Sequence, residues 1–220
     1  ALVSVSDKSG LDALAKELIA SDVKIISSGG TFKYLKSIGC EVQEVSDYTG
    51  HPEMMNGRVK TLHPKIHAGI LANREVHLEE LESMGYSPID LVVVNLYPFI
   101  NTVQGGATFE EAIENIDIGG PTMIRAAAKN FKDVVVLSDP SQYEDFLLKL
   151  KNNSVDLDFR KLCAAWVFEN MAQYDGAISN YLNSSSDVQL LNSDGLSPAT
   201  KLRYGENPHQ EALLYKFNSM

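Results

Sequence analysis

The sequence predicts an α/β fold with a layered, mostly parallel sheet and helices on both faces. Three observations carry this. Short apolar runs alternate with segments of helical period along the chain. The runs "LVVVN" and "DVVVL" are β-branched and unbroken, as in strands covered on both faces. Between runs and helices lie short turns rich in Ser, Gly and Asp.

The elements follow in order. "ALVSVS" reads as a strand, and Leu11, Leu14, Ala15, Leu18 and Ile19 then recur at helical spacing. "VKIISSGGT" opens the same unit again, with a helix through Tyr34, Leu35 and Ile38 that ends at Gly39. "EVQEV" is a third strand. Residues 47–70 show no clean period and read as a long structured loop with short helical pieces, a length usually tied to function or disorder. "HLEELESMG" is a helix stopped by Gly85. "DLVVVNLYPF" is a buried strand. "ATFEEAIENI" begins with a capping box from Thr108 to Glu111. In "DIGGPTMIRAAAKNF" Pro121 suits the first turn of a helix, and Pro140 does the same in "PSQYEDFLLKL" after the strand "DVVVLSD". Phe159, Leu162, Cys163, Trp166, Val167 and Met171 mark a long amphipathic helix whose stripe is explained by core packing. The expected layout is one domain over 1–182, a linker over 183–199, and the start of a second unit over 200–220.

With 19 basic and 29 acidic residues among 220, the formal charge is −10. Such a surface repels nucleic acid and anionic membranes. No run is apolar enough to span a bilayer, and "ALVSV" is too short for a signal peptide, so the expected location is the cytoplasm. Cys40 and Cys163 read as reduced, buried thiols.

Against this acidic background, "NGRVKTLHPKIHAGIL" gathers Arg58, Lys60, His63, Lys65 and His67 without one carboxylate. Three turns at strand ends have the character of anion sites: "SDKSG", "SSGGT" and "DIGGPT". Glycine lets a ligand approach the backbone, and helix N-termini attract anions. Ser4, Ser6, Ser27, Ser28 and Thr31 add hydroxyls and Lys8 a charge. Each turn alone reads as an ordinary capped β–α turn, whereas two such turns opening consecutive units point to one phosphate site; no dinucleotide or Walker pattern is present. Arg58 is suited to grip an oxyanion and Lys60 to move protons. A zinc site on His63 and His67 would need a third ligand, and none stands nearby, so no metal is expected; the bland reading is structural histidines at a helix end. Lys129 reads either as functional or as an exposed helix-end lysine, and Asp117 as a cap. Asn95 and Tyr97 close the most buried strand. From spacing, the ligand is a phosphate-bearing small molecule met by acid–base groups.

Taken together, "SVSDKSG", "SSGGT", "MMNGRVKTLHPKIHAGIL", "NLYPF", "DIGGPTMIRAAAKN" and "LRYGENPHQ" resemble the bifunctional purine-biosynthesis enzyme that joins a transformylase to inosine monophosphate cyclohydrolase. The resemblance runs over residues 1 to about 182 and implies a methylglyoxal-synthase-like fold, without cofactor. It implies that this N-terminal domain closes formamido-imidazole-carboxamide ribonucleotide to inosine monophosphate with loss of water. It implies nucleotide contacts from Ser6, Asp7 and Lys8; from Ser28, Gly29, Gly30 and Thr31; from Arg58, Val59 and Thr61; from Val94 and Asn95; and from Ile118, Gly119 and Gly120. It assigns Lys60, Tyr97, Asp117 and Lys129 to a proton network. A homodimer is usual in the family. Arg203 and Tyr204 match its folate-side contacts, but 200–220 is too little for a transformylase site, and no formyl transfer is expected from this chain. Two other readings stand beside this one: methylglyoxal synthase on the same fold, and a regulatory nucleotide-binding module without catalysis.

Overall fold

The computed structural model describes residues 1–183, 196–203, 207 and 213–217. Five strands form one parallel sheet: β1 (Leu2–Val5), β2 (Ile26–Ser27), β3 (Gln43–Glu44), β4 (Leu91–Asn95) and β5 (Val135–Leu137), in the order β3-β2-β1-β4-β5. β1 lies between β2 and β4, with Leu2 facing both Ile26 and Val92. Leu91 to Val94 are all buried, as the unbroken β-branched run requires.

Helices α1 (Leu11–Ala20) and α2 (Gly29–Ser37) carry the chain from β1 to β2 and on to β3. Right-handed crossovers put both on one face of the sheet, because β2 and β3 lie on the same side of β1. Gly39 ends the second helix in the left-handed conformation, φ 79°. Across the sheet, α8 (Gly119–Lys129) packs on β4, and α10 (Leu157–Asn183) packs on α8 and β5. α9 (Tyr143–Lys151) follows a 3-10 turn at Pro140–Gln142, which Asp139 and Gln142 close as a capping box. Cys40 and Cys163 are both buried and unbridged.

The segment expected as a long loop is more ordered than its period suggested. It holds α3 (Val45–Thr49), a 3-10 turn at Met55–Gly57 and α4 (Pro64–Leu71). α4 shows too few turns for a period, yet Ile66 and Ile70 are fully buried. Its C-terminal carbonyls are met by Asn130, whose Nδ2 donates to Ile70 O at 2.8 Å and Ala72 O at 3.1 Å. The third strand is shorter than "EVQEV", since Val45 already begins α3. Three further short helices are α5 (Leu78–Ser83), α6 (Phe99–Gln104) and α7 (Phe109–Glu114); α7 starts on the Thr108–Glu111 capping box.

The final helix ends at Asn183, so most of the expected linker lies outside the described residues. β6 (Leu196–Lys201), which starts inside the expected linker range, pairs antiparallel with β7 (Leu213–Phe217) in a separate two-stranded sheet. Arg203 is exposed, and Tyr204 falls outside the described residues.

The end of β1 is tied to α2 by a single side chain. Thr31 Oγ1 donates to Val5 O and accepts from Val5 N, both at 3.0 Å, and the residue is buried. Thr31→Val keeps the shape and leaves two buried backbone groups unpaired. We expect a loss of about 1–3 kcal/mol in urea unfolding.

Candidate active site

In open parallel sheets ligands collect outside the carboxyl ends of strands, where the strand order reverses. In this sheet that point lies between β1 and β4. Asn95 pins it: its Oδ1 accepts from Ser6 N at 2.7 Å and Asp7 N at 2.9 Å, and its Nδ2 donates to Asp7 O at 2.8 Å. A cavity of about 660 Å³ opens over these strand ends.

The three turns singled out in the sequence meet around this cavity. The first contributes Ser6 and Lys8, with Ser4 and Val5 behind them. The second contributes Ser28, Gly29, Gly30 and Thr31, and the third Asp117, Ile118, Gly119 and Gly120. Arg58, Lys60 and Thr61 come from the wrapping segment, and Val94, Asn95 and Tyr97 from the end of β4. The N-termini of α2 and α8 both open into it, so two helix dipoles and three cations face the same space.

Close approaches explain the glycines. The Lys60 chain runs across Gly57 and ends beside Gly29: a Cβ at Gly57 would stand 2.7 Å from Lys60 Cε, and one at Gly29 would stand 3.1 Å from Lys60 Nζ. Both glycines also have positive φ, 92° and 55°. A Cβ on Gly119 would meet Thr61 Oγ1 at 3.0 Å, and one on Gly120 would meet Asp117 Oδ2 at 2.4 Å. Gly30, by contrast, faces open space within the cavity wall.

Asp117 accepts from Gly120 N at 2.8 Å, and its own N–H donates to the hydroxyl of Tyr174 at 2.8 Å. Burial raises the Asp117 pKa above the usual carboxylate value, while the N–H groups of Gly120, Tyr97 and Gly119 oppose the shift. It is therefore both the cap foreseen from sequence and a carboxyl group with an altered proton affinity.

Several expectations need correction. Lys129 does not reach the cavity. It is exposed at the C-terminal end of α8 and is not in the wall; about 9 Å of helix separates it from Met123, the last residue of α8 that is. The helical spacing that placed it on the same element as Asp117 also carried it to the other end. Val59 and Asp7 do not line the cavity either. Val59 pairs with Met54 in a short antiparallel bridge, and the Asp7 carboxylate accepts from Ser9 N and Ser9 Oγ. Thr31 and Asn95 do line it, but their side-chain hydrogen bonds hold the backbone of β1 and of the first turn. Ser27, expected to offer a hydroxyl, is fully buried with Oγ unpartnered and is not in the wall.

The cation cluster also divides. Of its five members, only Arg58 and Lys60 face the cavity. Lys65 sits over the rings of Tyr48 and Tyr86, 4.7 and 5.7 Å from their centroids. His63 caps α4, its Nδ1 accepting from Lys65 N at 3.1 Å, and burial lowers the pKa of His67. Among the described residues no three His, Cys, Asp or Glu side chains are grouped to hold a metal ion, and no helix is long and apolar enough to cross a membrane.

Sequence reasoning missed Asn56, Gly57, Ile113, Glu114, Ile116 and Met123, which complete the wall. The one available signal was Gly57, next to Arg58 in a segment without period.

This architecture defines a class. The chain belongs to the MGS-like domain family, whose model matches residues 10–122. Residues 127–220 match the model of the AICARFT/IMPCHase bienzyme. The bifunctional purine biosynthesis protein PurH of Clostridium botulinum strain Hall is 54% identical over 218 residues, covering 98% of this chain and 44% of its own length. PurH of strain 657 is 53% identical over the same length. The chain thus spans under half the length of these curated relatives. Among solved structures, the crystal structure of ForH matches with a TM-score of 0.74 and 34% identity, over 84% of this chain and 97% of that one.

Asp117 gives a stability test. With its folded pKa above the unfolded value of 3.8, the folded state holds a proton that the unfolded chain has already released. Stability therefore falls as pH rises from about that value through the folded pKa. Asp117→Asn keeps an acceptor for Gly120 N and removes this slope. Urea unfolding at pH 4 and pH 7 should show the variant gaining on the wild type at the higher pH.

Proposed function

We propose that the chain is an inosine monophosphate cyclohydrolase acting in purine biosynthesis, with formamido-imidazole-carboxamide ribonucleotide as substrate. The observation that carries this reading is the position of Lys60, with its ammonium against Gly29 at the N-terminus of α2, in a cavity that also holds Asp117 and Tyr97. The names of the curated relatives and the match to the bienzyme model support the same assignment. On this reading 1–182 is the cyclohydrolase domain, and 200–220, within the span matched to the bienzyme model, begins a transformylase domain.

The phosphate takes the second turn, where the N–H groups of α2 and the Ser28 hydroxyl converge, with Arg58 in the same cavity wall. No hydrogen bond caps that helix from the Ser28 side chain, which leaves its hydroxyl for the ligand. In the reaction the carboxamide nitrogen attacks the formyl carbon on the same ring, and a C–N bond forms. The formyl oxygen takes up a proton to become a hydroxyl and leaves with a second as water; the attacking nitrogen gives up one proton and the formamido nitrogen the other, as the new C=N bond forms. Ring closure within one substrate supplies most of the proximity. What remains is to hold the two groups in line, stabilise the oxyanion and move protons.

Lys60 and the N–H groups at the start of α8 supply positive charge for the oxyanion. Asp117, with its raised proton affinity, and Tyr97 are the proton-transfer groups beside it. Lys129 has no part in this arrangement, because its side chain lies at the far end of α8.

An absorbance assay of ring closure with the synthetic formamido ribonucleotide tests the assignment. Lys60→Ala should lower kcat/KM by at least about 10²-fold, and Lys129→Ala by far less. Absence of turnover by the wild type would overturn the assignment, and equal losses in both variants would overturn the roles of the two lysines.

A further inference from the structure

An exposed ion pair joins two segments of the cavity wall. Arg58 stands on the 54–59 turn and Glu114 at the end of α7, and both lie in the cavity wall. Arg58 Nε donates to Glu114 Oε1 at 3.3 Å, and Nη2 makes a second, shorter contact with Oε2. The guanidinium is therefore engaged at two nitrogens by a planar anion, the geometry in which it would hold a phosphate. Lys60 repeats the pattern more loosely, with Nζ 3.5 Å from Glu53 Oε2.

Stability does not account for the Arg58–Glu114 pair. Both side chains are more than half exposed, and pairs of this kind contribute little to folding. What the pair does is join two elements of the cavity wall that are 56 residues apart in the chain. The turn bearing Arg58 is itself unusual: Met55, Asn56 and Gly57 have φ of 53°, 54° and 92° in succession. Met55 and Asn56 are not glycines, so this backbone is held against its local preference.

We propose that Glu114 is a specificity residue that competes with the ligand's phosphate for Arg58. Resting on the nucleotide reading above, binding exchanges the Glu114 carboxylate for the phosphate on the same guanidinium. A dianionic phosphate binds this fork more strongly than a single carboxylate does, whereas a neutral nucleoside has nothing to offer it. Glu114 thus lowers affinity for ligands that need Arg58, and it narrows the gap between nucleoside monophosphates and their dephosphorylated forms, which do not engage the guanidinium. Glu114 acts through Arg58 and does not touch the reacting atoms.

The test is titration calorimetry of inosine monophosphate and inosine with wild type, Glu114→Gln, Arg58→Ala and the double variant. Removing the competitor should tighten binding of the monophosphate about three- to tenfold, as expected for one partly screened charge nearby. The gain should vanish in the Arg58→Ala background. Inosine should gain less from Glu114→Gln than the monophosphate does, so that the ratio of the two affinities widens. In wild-type protein, the Arg58 Nε–H resonance should move on adding the monophosphate and stay in place with inosine, a readout that needs no variant. Wild type that binds the monophosphate, with Glu114→Gln equal to it or weaker, or a gain that persists without Arg58, would overturn the competitor role alone. Wild type that does not bind the monophosphate at millimolar concentration would overturn the nucleotide reading and this proposal with it.

Discussion

The geometry of this molecule depends on one constraint: the parallel sheet changes direction of growth beside β1, and the ends of β1 and β4 must be held open there. β2 and β3 extend the sheet one way and β4 and β5 the other, so no helix can cover the gap between the first and fourth strands. Asn95 satisfies the backbone groups exposed at that gap by accepting from Ser6 N and Asp7 N and donating to Asp7 O. Thr31 does the same one residue earlier, at Val5. Two residues that read as ligand contacts thus form the floor on which a ligand would rest.

Above that floor, the cavity solves an electrostatic problem. On the proposed reading, a chain of net charge −10 must present a cationic surface to a phosphate-bearing ligand. It does so with short-range features: two helix N-termini, Lys8, Arg58 and Lys60, all in one wall. Screening over about 8 Å confines the repulsion of the distant carboxylates. Carboxylates that do enter the site have special positions. Asp117 is held by backbone N–H groups and Glu114 is paired to Arg58, while Glu53, outside the wall, is paired to Lys60. The site is therefore close to neutral as built, and its positive charge becomes available when those pairs open.

Much of the fold was legible in the amino-acid order. The unbroken run Leu91–Val94 can only be a strand covered on both sides, and the Thr108–Glu111 box and Pro121 mark helix starts whatever surrounds them. The turns at Gly29–Gly30 and Gly119–Gly120 also announced themselves as glycine pairs between a strand or loop and a helix start, although the contacts that call for glycine there, such as Gly120 against Asp117, came only with the structure. These features are local: sterics, capping and hydrophobic period act over a few residues and are written directly in the chain.

What the tertiary structure alone decided is which of those residues face one another. The five cations of 58–67 look alike in sequence, yet Lys65 goes to two tyrosine rings, His63 to a helix cap, and only Arg58 and Lys60 to the cavity. Lys129 shares a helix with Gly119 but lies at its opposite end, and Glu114 gains its meaning only from an arginine 56 positions earlier. Contacts across such separations depend on strand order and helix packing, which arise from burial summed over the whole core and leave no periodic mark at the residues they bring together.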